Sequence, residues 1–306
     1  MIPSEQRRCI VCLGDRTNHL TTRHDYRIWR CSGCGHGWVD PVPDDESLGR
    51  YYASEEAIEE QYKFPERSIR KHARRLFRWI HQAKIPHGVL LDVGCGRGVH
   101  LEVARRVGWD VIGVDNSPIA KNICAARGLA IYESLSEIEK QFGETAFDVI
   151  TLWETIEHSS DPVALLKQLR CLLRNHGVLA LSTPNFNSIV ARADYANWHE
   201  LRPPMHLHYF TPESLHETLR KSGFQILNQL TYASWNAVVD RTIDNLSASV
   251  SLSPSAAFLL KVACYKFAKV YFDRTLQSKM QGLGLLSMSS PTNWTAPLGF
   301  RKHFFF

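Results

Sequence analysis

Residues 90–100 read LLDVGCGRGVH, and this stretch decides the fold. The apolar run Val89 to Val93 reads as a buried parallel strand. Apolar Leu101, Val103, Ala104 and Val107 mark a helix after the glycines. Strand, glycine loop and helix form the nucleotide-binding turn of an α/β sheet. A dinucleotide fingerprint is G-x-G-x-x-G, and here Val99 stands where its third glycine belongs, because Gly98 comes one residue early. Asp92 lies two residues before Gly94. A carboxylate so close to the cradle repels a pyrophosphate and attracts a cation. The loop asks for an adenosine that carries positive charge and no phosphate.

Asp115 extends this argument. It ends the run VIGVD, 19 residues beyond Gly96, where an acid accepts hydrogen bonds from ribose hydroxyls. The competing role is a cap for the helix that starts at Ser117. Loop and spacing agree on the ribose. An adenosine with a cationic tail describes S-adenosylmethionine, whose sulfonium and ammonium groups suit Asp92. Outward from the loop, strand-like and helix-like stretches alternate from 88 to 183: VLLDV, DVIGVD, LAIY, FDVITLW and GVLALST, with helices between. This is the pattern of a parallel sheet with crossover helices. Asp161-Pro162 and Thr211-Pro212 read as helix caps with first-turn prolines, and Phe224 to Tyr232 as a further strand.

Composition sets the frame. The chain has 306 residues, 44% hydrophobic and 22% charged, with a formal net charge of +5. Those fractions belong to a soluble globular protein, and the charge permits an anionic substrate without demanding one. The N-terminal MIPSEQRRCIVC has no apolar signal region and no run reaches a membrane span, so a cytoplasmic location is expected. Four of eight cysteines form two C-x-x-C pairs, while Cys95, Cys124, Cys171 and Cys264 are scattered through apolar segments. That usage fits a reducing compartment with one metal site.

The stretches LLDVGCGRGVHLEVARRVGWDVIGVDNS, FDVITLWETIEHSSDPVALLKQLRCLLRNHGVLALSTPN and HLHYFTPESLHETLRKSGF together resemble class I S-adenosylmethionine-dependent methyltransferases over roughly residues 85–230. The resemblance implies an α/β, Rossmann-like sheet with helices on both faces. It implies that Asp92, Gly94, Gly96 and Gly98 line the methionine end of the cofactor. Asp115 and Asn116 would hold the ribose and adenine side, and Ser134 and Leu135 would flank the adenine. Trp153 and Glu154 would stand at the rim where the methyl is delivered.

Cys9-x-x-Cys12 and Cys31-x-x-Cys34, with 18 residues between the pairs, fit a four-thiolate zinc site on two knuckles. Four sulfurs close the shell, so the site is expected to be structural. His19, His24 and His36 nearby are expected at the surface. The run WRCSGCGHGWVDPVPDDESLGRYY resembles the zinc-ribbon leader of bacterial methyltransferases acting on sugars and other metabolites, in which tyrosines after the ribbon approach the active site. Tyr51 and Tyr52 would be the equivalents, the alternative being plain packing.

WETIEH resembles the E-x-x-E-H motif of ubiquinone-pathway O-methyltransferases. It implies that Glu154, Glu157 and His158 hold magnesium or another divalent cation, or else that they only shape the acceptor pocket. His158 also suits a general base. After the RPP turn, alternation puts His206 and His208 on one side of an extended segment, as further catalytic candidates, with Trp198 and His199 roofing the pocket. A base is needed because methyl transfer is a direct displacement on an acceptor that must lose its proton.

The domain plan is a zinc ribbon at 1–43, a helical linker or lid at 44–86, the cofactor-binding domain at 87–232 and a helical C-terminal extension at 233–306. In the helix around 67–78, Arg67, Arg70, Lys71, Arg74 and Arg78 share a face that reads as solvated. AAFLLKVACYKFAKVYFD, with Lys261, Lys266, Lys269 and Asp273 on one arc, suits a helix on the core, on a partner subunit or on an acidic membrane. The last thirty residues offer no clear final strand. The function expected is methyl transfer to oxygen or carbon of a small metabolite, a sugar or a glycan or natural-product precursor. The alternatives are an RNA methyltransferase, against which basic residues are few and aromatic interleaving slight, and a protein that only binds.

Overall fold

The computed structural model describes residues 7–54, 58, 65–82, 84–232, 253, 255–256 and 284–291. Its first elements are β1 (Thr17–Arg23), β2 (Tyr26–Cys31), β3 (Gly37–Asp40), α1 (Asp45–Tyr52) and α2 (Glu66–Gln82). The alternating part follows: β4 (Val89–Val93), α3 (Val99–Arg106), β5 (Asp110–Val114), α4 (Pro118–Ala126), β6 (Ala130–Tyr132), α5 (Leu135–Phe142), β7 (Phe147–Trp153), α6 (Pro162–Leu172) and β8 (Leu173–Pro184). Then come α7 (Ile189–Ala193), β9 (His208–Tyr209), α8 (Pro212–Lys221), β10 (Phe224–Tyr232) and β11 (Gly284–Pro291).

The larger sheet runs β10-β11-β8-β7-β4-β5-β6. Its five strands from β8 to β6 are parallel, and β11 enters antiparallel between β8 and β10. From β4 the chain steps outward to β5 and β6, then returns to lay β7 on the other side of β4. The carboxyl ends of β4 and β7 therefore flank the switch point, where open α/β sheets bind ligands. Every residue of β7 is buried, as a strand covered on both faces requires. Val149 and Trp153 pack with Leu76 and Phe77 of α2 and Leu101 of α3. Ile150 and Leu152 pack with Leu166 and Leu169 of α6 and Leu215 of α8.

Both expected caps form. The Asp161 carboxylate accepts from the N–H groups of Val163 and Ala164, and Thr211 and Ser214 make a reciprocal capping box. Helix α2 is pinned by charge. Arg70 bonds Glu102 at 2.7 Å, and Arg127 bridges Glu66 and Glu102. Arg70 thus leaves the basic stripe, while Arg67, Lys71, Arg74 and Arg78 remain exposed as a solvated face.

The C-terminal region differs from its helical expectation at one described segment, since Gly284–Pro291 is a strand inside the sheet. GLLSMSSP lacks the β-branched and aromatic residues that announce a strand. Its place is fixed by neighbours, with Leu285 opposite Thr183 on one side and Thr231 on the other. The buried hydroxyls of Ser287 and Ser289 lie 3.3 Å apart and serve each other. The apolar segment 256–273 lies almost wholly outside the described residues.

The ribbon and the main domain share the second sheet, β1-β2-β3-β9. Gly37 pairs Tyr209 and Trp38 pairs His208. A Cβ on Gly37 would come within 2.7 Å of the Phe186 ring, so the close approach needs glycine there. Thr211 donates to the Cys34 carbonyl at 2.8 Å, and Arg30 lies 4.4 Å above the Tyr195 ring. Trp198 is buried between Phe186 and Tyr209 in the core of this seam. That packing replaces the expected role as a roof over the acceptor.

Candidate active site

The glycine loop separates packing glycines from an open one. A Cβ on Gly94 would sit 2.6 Å from Thr155, and one on Gly98 would sit 2.5 Å from Leu129. A Cβ on Gly96 would meet nothing within 4 Å, and Gly96 is the residue whose N–H donates to Asp115 at 2.8 Å. The second Asp115 oxygen accepts from Ser117 N–H at 2.9 Å. Asp115 therefore braces the loop and caps α4 together, and each carboxylate oxygen keeps a further lone pair for a hydroxyl. Burial raises its pKa. Asn116 beside it is exposed. Ser134 caps α5 through its hydroxyl, and Leu135 packs on the cluster of Ile138, so their side chains are already occupied.

Asp92 is buried at the end of β4. One oxygen accepts from Thr151 Oγ1 at 2.6 Å, and the other has no partner among the described residues. Burial pushes this carboxyl up to about 7, against the pull of the Thr151 hydroxyl. A cationic group beside it would satisfy the orphaned oxygen and draw the pKa back down.

Past β7 the chain turns sharply at Glu154, whose φ is 51°. The Glu154 carboxylate accepts from Ser182 Oγ at 2.7 Å. A 3₁₀ turn, Ile156–His158, then presents Glu157 and His158. Ligand-type atoms of Glu157, His158 and His206 lie within 4.8 Å of one another. Glu154 stands outside this group, and His206 takes the place the motif implied for it. Glu157 is fully buried, accepts from Thr183 Oγ1 at 2.9 Å, and leaves its other oxygen without a partner among the described residues. Burial, then the nearby Glu154 charge, raise its pKa well above the carboxylate range.

His158 Nδ1 lies 2.7 Å from the Met205 carbonyl and 3.1 Å from the Tyr52 hydroxyl. A carbonyl only accepts, so Nδ1 carries the proton and Nε2 presents a lone pair toward Glu157, 4.0 Å away. Burial lowers the pKa of this imidazole to about 4. Tyr52 arrives from the last turn of α1, with Tyr51 edge-on to it at 5.5 Å. His206 stands edge-on to His158, 4.9 Å between ring centroids. Its Nδ1 meets the Glu200 carbonyl at 3.0 Å and its Nε2 meets Arg202 at 3.2 Å, so both nitrogens are engaged.

His208 does not join this group. Its ring lies in the ribbon seam, hydrogen-bonded to His36 at 3.3 Å and packed on Phe210. The alternation that placed His206 and His208 together fails because β9 begins at His208 and turns its side chain to the ribbon. His36, expected at the surface, is completely buried there between Trp38, His208 and Phe210. Sequence reasoning passed over His100, whose buried Nε2 lacks a partner among the described residues. Its position in the first turn after the glycines was the available signal.

In the ribbon, Cys9 and Cys34 sulfurs lie 3.6 Å apart, as do those of Cys12 and Cys31. All four fall within 4.8 Å of one another. A tetrahedral ion with metal–sulfur bonds of about 2.3 Å spaces its sulfurs by roughly 3.8 Å. Backbone N–H groups of Cys12 and Gly33 point at the sulfurs of Cys9 and Cys31. Val11, Trp29 and Trp38 enclose the cluster in apolar surface.

A family model described as a methyltransferase domain matches residues 66–229. The chain is 33% identical over 180 residues to a ubiquinone biosynthesis O-methyltransferase of Cereibacter sphaeroides, covering 53% of this chain and 72% of that protein. It is 32% identical over 152 residues to a protein of that name from Nitrobacter winogradskyi, covering 46% of this chain and 58% of the relative. Among solved structures it is similar to a SAM-dependent methyltransferase of Archaeoglobus fulgidus, with TM-score 0.50, 19% identity, and coverage of 81% of this chain and 100% of that one. It is also similar to the 1,6-didemethyltoxoflavin-N1-methyltransferase of Burkholderia thailandensis, solved with its substrate and S-adenosylhomocysteine, with TM-score 0.50, 15% identity, and coverage of 88% and 97%.

Proposed function

Because the chain belongs to the methyltransferase-domain family, we propose that this S-adenosylmethionine-dependent methyltransferase methylates a hydroxyl oxygen of a small metabolite, with His158 as the base. The tautomer of His158 carries this reading: Nδ1 is held by Met205 and Tyr52, which leaves a neutral Nε2 as the acceptor of the hydroxyl proton. Oxygen is preferred over carbon because the curated relatives are O-methyltransferases by name. The ribbon leader favours a sugar or a glycan or natural-product precursor as the acceptor.

When bound, S-adenosylmethionine supplies the methyl group for direct displacement. Asp92 and the open face at Gly96 suit its methionine end, and Asp115 its ribose. The α1 segment brings Tyr52 over His158, and α2 covers the neighbouring face of the sheet, so these two helices act as a lid that keeps water from the reacting atoms. The four ribbon cysteines suit a structural zinc. The divalent-cation alternative at Glu157, His158 and His206 lacks an open third ligand, since Arg202 and Glu200 engage both His206 nitrogens.

The test is a turnover assay with methyl-labelled S-adenosylmethionine and a panel of hydroxylated sugars and phenols, with product mapping by mass spectrometry. The label is expected on oxygen. Asp115→Ala is expected to weaken cofactor binding by about 10–100-fold in calorimetry, the worth of one or two hydrogen bonds to a charged group. Label on carbon or nitrogen, or an Asp115→Ala protein with unchanged affinity, refutes the respective half of the proposal.

A further inference from the structure

Three buried polar atoms on one face of the sheet are left without a protein partner among the described residues: Asp92 Oδ2, Trp153 Nε1 and His100 Nε2. Their common side follows from the pleat. Asp92 pairs with Thr151 across β4 and β7, and Trp153 lies two residues further along the same face. His100 comes from the first turn of α3, directly after the glycine loop, and its ring lies 5.8 Å from that of Trp153. Phe77 of α2 closes the stack from above, edge-on to Trp153 at 6.4 Å.

Buried donors without acceptors are rare in folded proteins and mark a missing ligand or water. The indole N–H can only donate. The imidazole of His100 is neutral, its pKa lowered to about 3 by burial, and so it offers one N–H. This face therefore carries one acid, one indole that can only donate and one imidazole nitrogen able to donate, a pattern matched by a zwitterion.

On the assignment of this face to S-adenosylmethionine, we propose that His100 and Trp153 form a carboxylate clamp for the amino-acid arm of the cofactor, while Asp92 faces its ammonium. The carboxylate accepts from His100 Nε2–H and Trp153 Nε1–H, which selects the Nε2–H tautomer of His100. The clamp makes the site a reader of the intact amino acid and not of the nucleoside alone.

Calorimetric titration of the full chain with S-adenosylmethionine and with decarboxylated S-adenosylmethionine separates the possibilities. The wild type is expected to prefer the intact cofactor by at least about tenfold, from two hydrogen bonds to a charged group. In His100→Leu, affinity for S-adenosylmethionine is expected to fall about tenfold, while the decarboxylated compound binds as before. Its retained binding reports that the variant is folded. His100→Gln, which restores an N–H, should recover part of the preference, and Trp153→Phe should lose it as His100→Leu does. Equal binding of the two compounds by the wild type, or a parallel loss of both in His100→Leu, overturns the clamp and leaves the cofactor assignment standing. A wild type that binds neither compound overturns the assignment, and the clamp with it.

Discussion

Among the described residues, side chains of metal-ligating type gather twice, once in the ribbon and once beside the switch point, and the two groups are built on opposite plans. In the ribbon, four sulfurs turn toward one another, backbone N–H groups support them, and apolar side chains pack against them. Beside β7, Glu157, His158 and His206 come just as near, yet each imidazole is held by a carbonyl and His206 by an arginine as well. Proximity is alike in the two places, though one offers four thiols and the other a carboxyl and two imidazoles. The partners behind the ligand atoms differ, and they decide whether a cluster suits an ion or moves a proton.

The largest effect should come from the ribbon. Cys31→Ser is expected to abolish bound zinc, measured as roughly one ion per chain in the parent by elemental mass spectrometry. Loss of a structural metal is among the few changes costing about 4 kcal/mol or more, which is on the order of 10 °C in melting temperature for a domain of this size. Turnover should fall with it. The ribbon shares a sheet with β9, and Thr211 at the head of α8 is tied to the Cys34 carbonyl. A zinc-free Cys31→Ser protein that melts and turns over like the parent would make the ribbon an ornament.

Next comes His158, the proposed base. His158→Ala should lower kcat by about 10²–10⁴-fold, the usual worth of a positioned base, with cofactor affinity unchanged. His206→Ala should cost less, since its nitrogens are engaged by the Glu200 carbonyl and by Arg202 within the 200–206 turn. The reverse order would transfer the base to His206. Because burial holds His158 near 4, its Nε2 is unprotonated above that pH. The acid limb of kcat/KM is therefore expected near 4 and not near the ordinary histidine value of about 6.5. Turnover should rise as pH climbs through 4, and a limb at 6.5 would show that the site is wetter than its packing implies.

Much of this was legible from residues alone, for physical reasons that also mark the limit. The β4 loop carries positive φ at three glycines and a buried acid, demands that few sequences meet by chance. The C-x-x-C pairs are read from spacing because two sulfurs on one knuckle need two residues between them. The caps at Asp161 and Thr211 are local hydrogen bonds and so are written locally. Strand β11 is not, because it pairs with residues far away in the chain and its serines satisfy one another only once buried. His36 and His208 were misplaced for a similar reason: only the docking of β3 on β9 brings them together. Trp198 likewise looked like a pocket wall until Phe186 and Tyr209 closed on it.

Smaller again is the contribution of Tyr52. Its hydroxyl lies 3.1 Å from His158 Nδ1 and 3.4 Å from the Met205 carbonyl, so it shares the work of fixing the tautomer with a backbone group that no substitution removes. Tyr52→Phe is expected to lower kcat by less than about tenfold, the worth of one neutral hydrogen bond. KM for the acceptor should stay nearly constant if Tyr52 acts only through His158. A rise in KM with kcat preserved would make Tyr52 a substrate contact instead.

The smallest expected effect is none at all, and it bears hardest on the contrast between the two clusters. Titrating magnesium into the zinc-loaded protein should leave kcat/KM unchanged. A magnesium ion demands near-octahedral oxygen ligands at about 2.0–2.1 Å and gives up its waters reluctantly. The group beside β7 offers one carboxyl whose pKa burial has raised, and one imidazole nitrogen, His158 Nε2, that the Met205 carbonyl does not take. A third position is guarded by the Arg202 guanidinium, 3.2 Å from His206 Nε2, and like charge repels an incoming cation there. For an ion to bind, Arg202 must swing from Glu200, to which it is paired at 2.5 Å, and Glu157 must ionise in a dry site. Both costs oppose binding. A magnesium-dependent rise in turnover that Glu157→Gln abolishes would show that the acceptor itself supplies the missing ligands, and would move the second cluster onto the plan of the first.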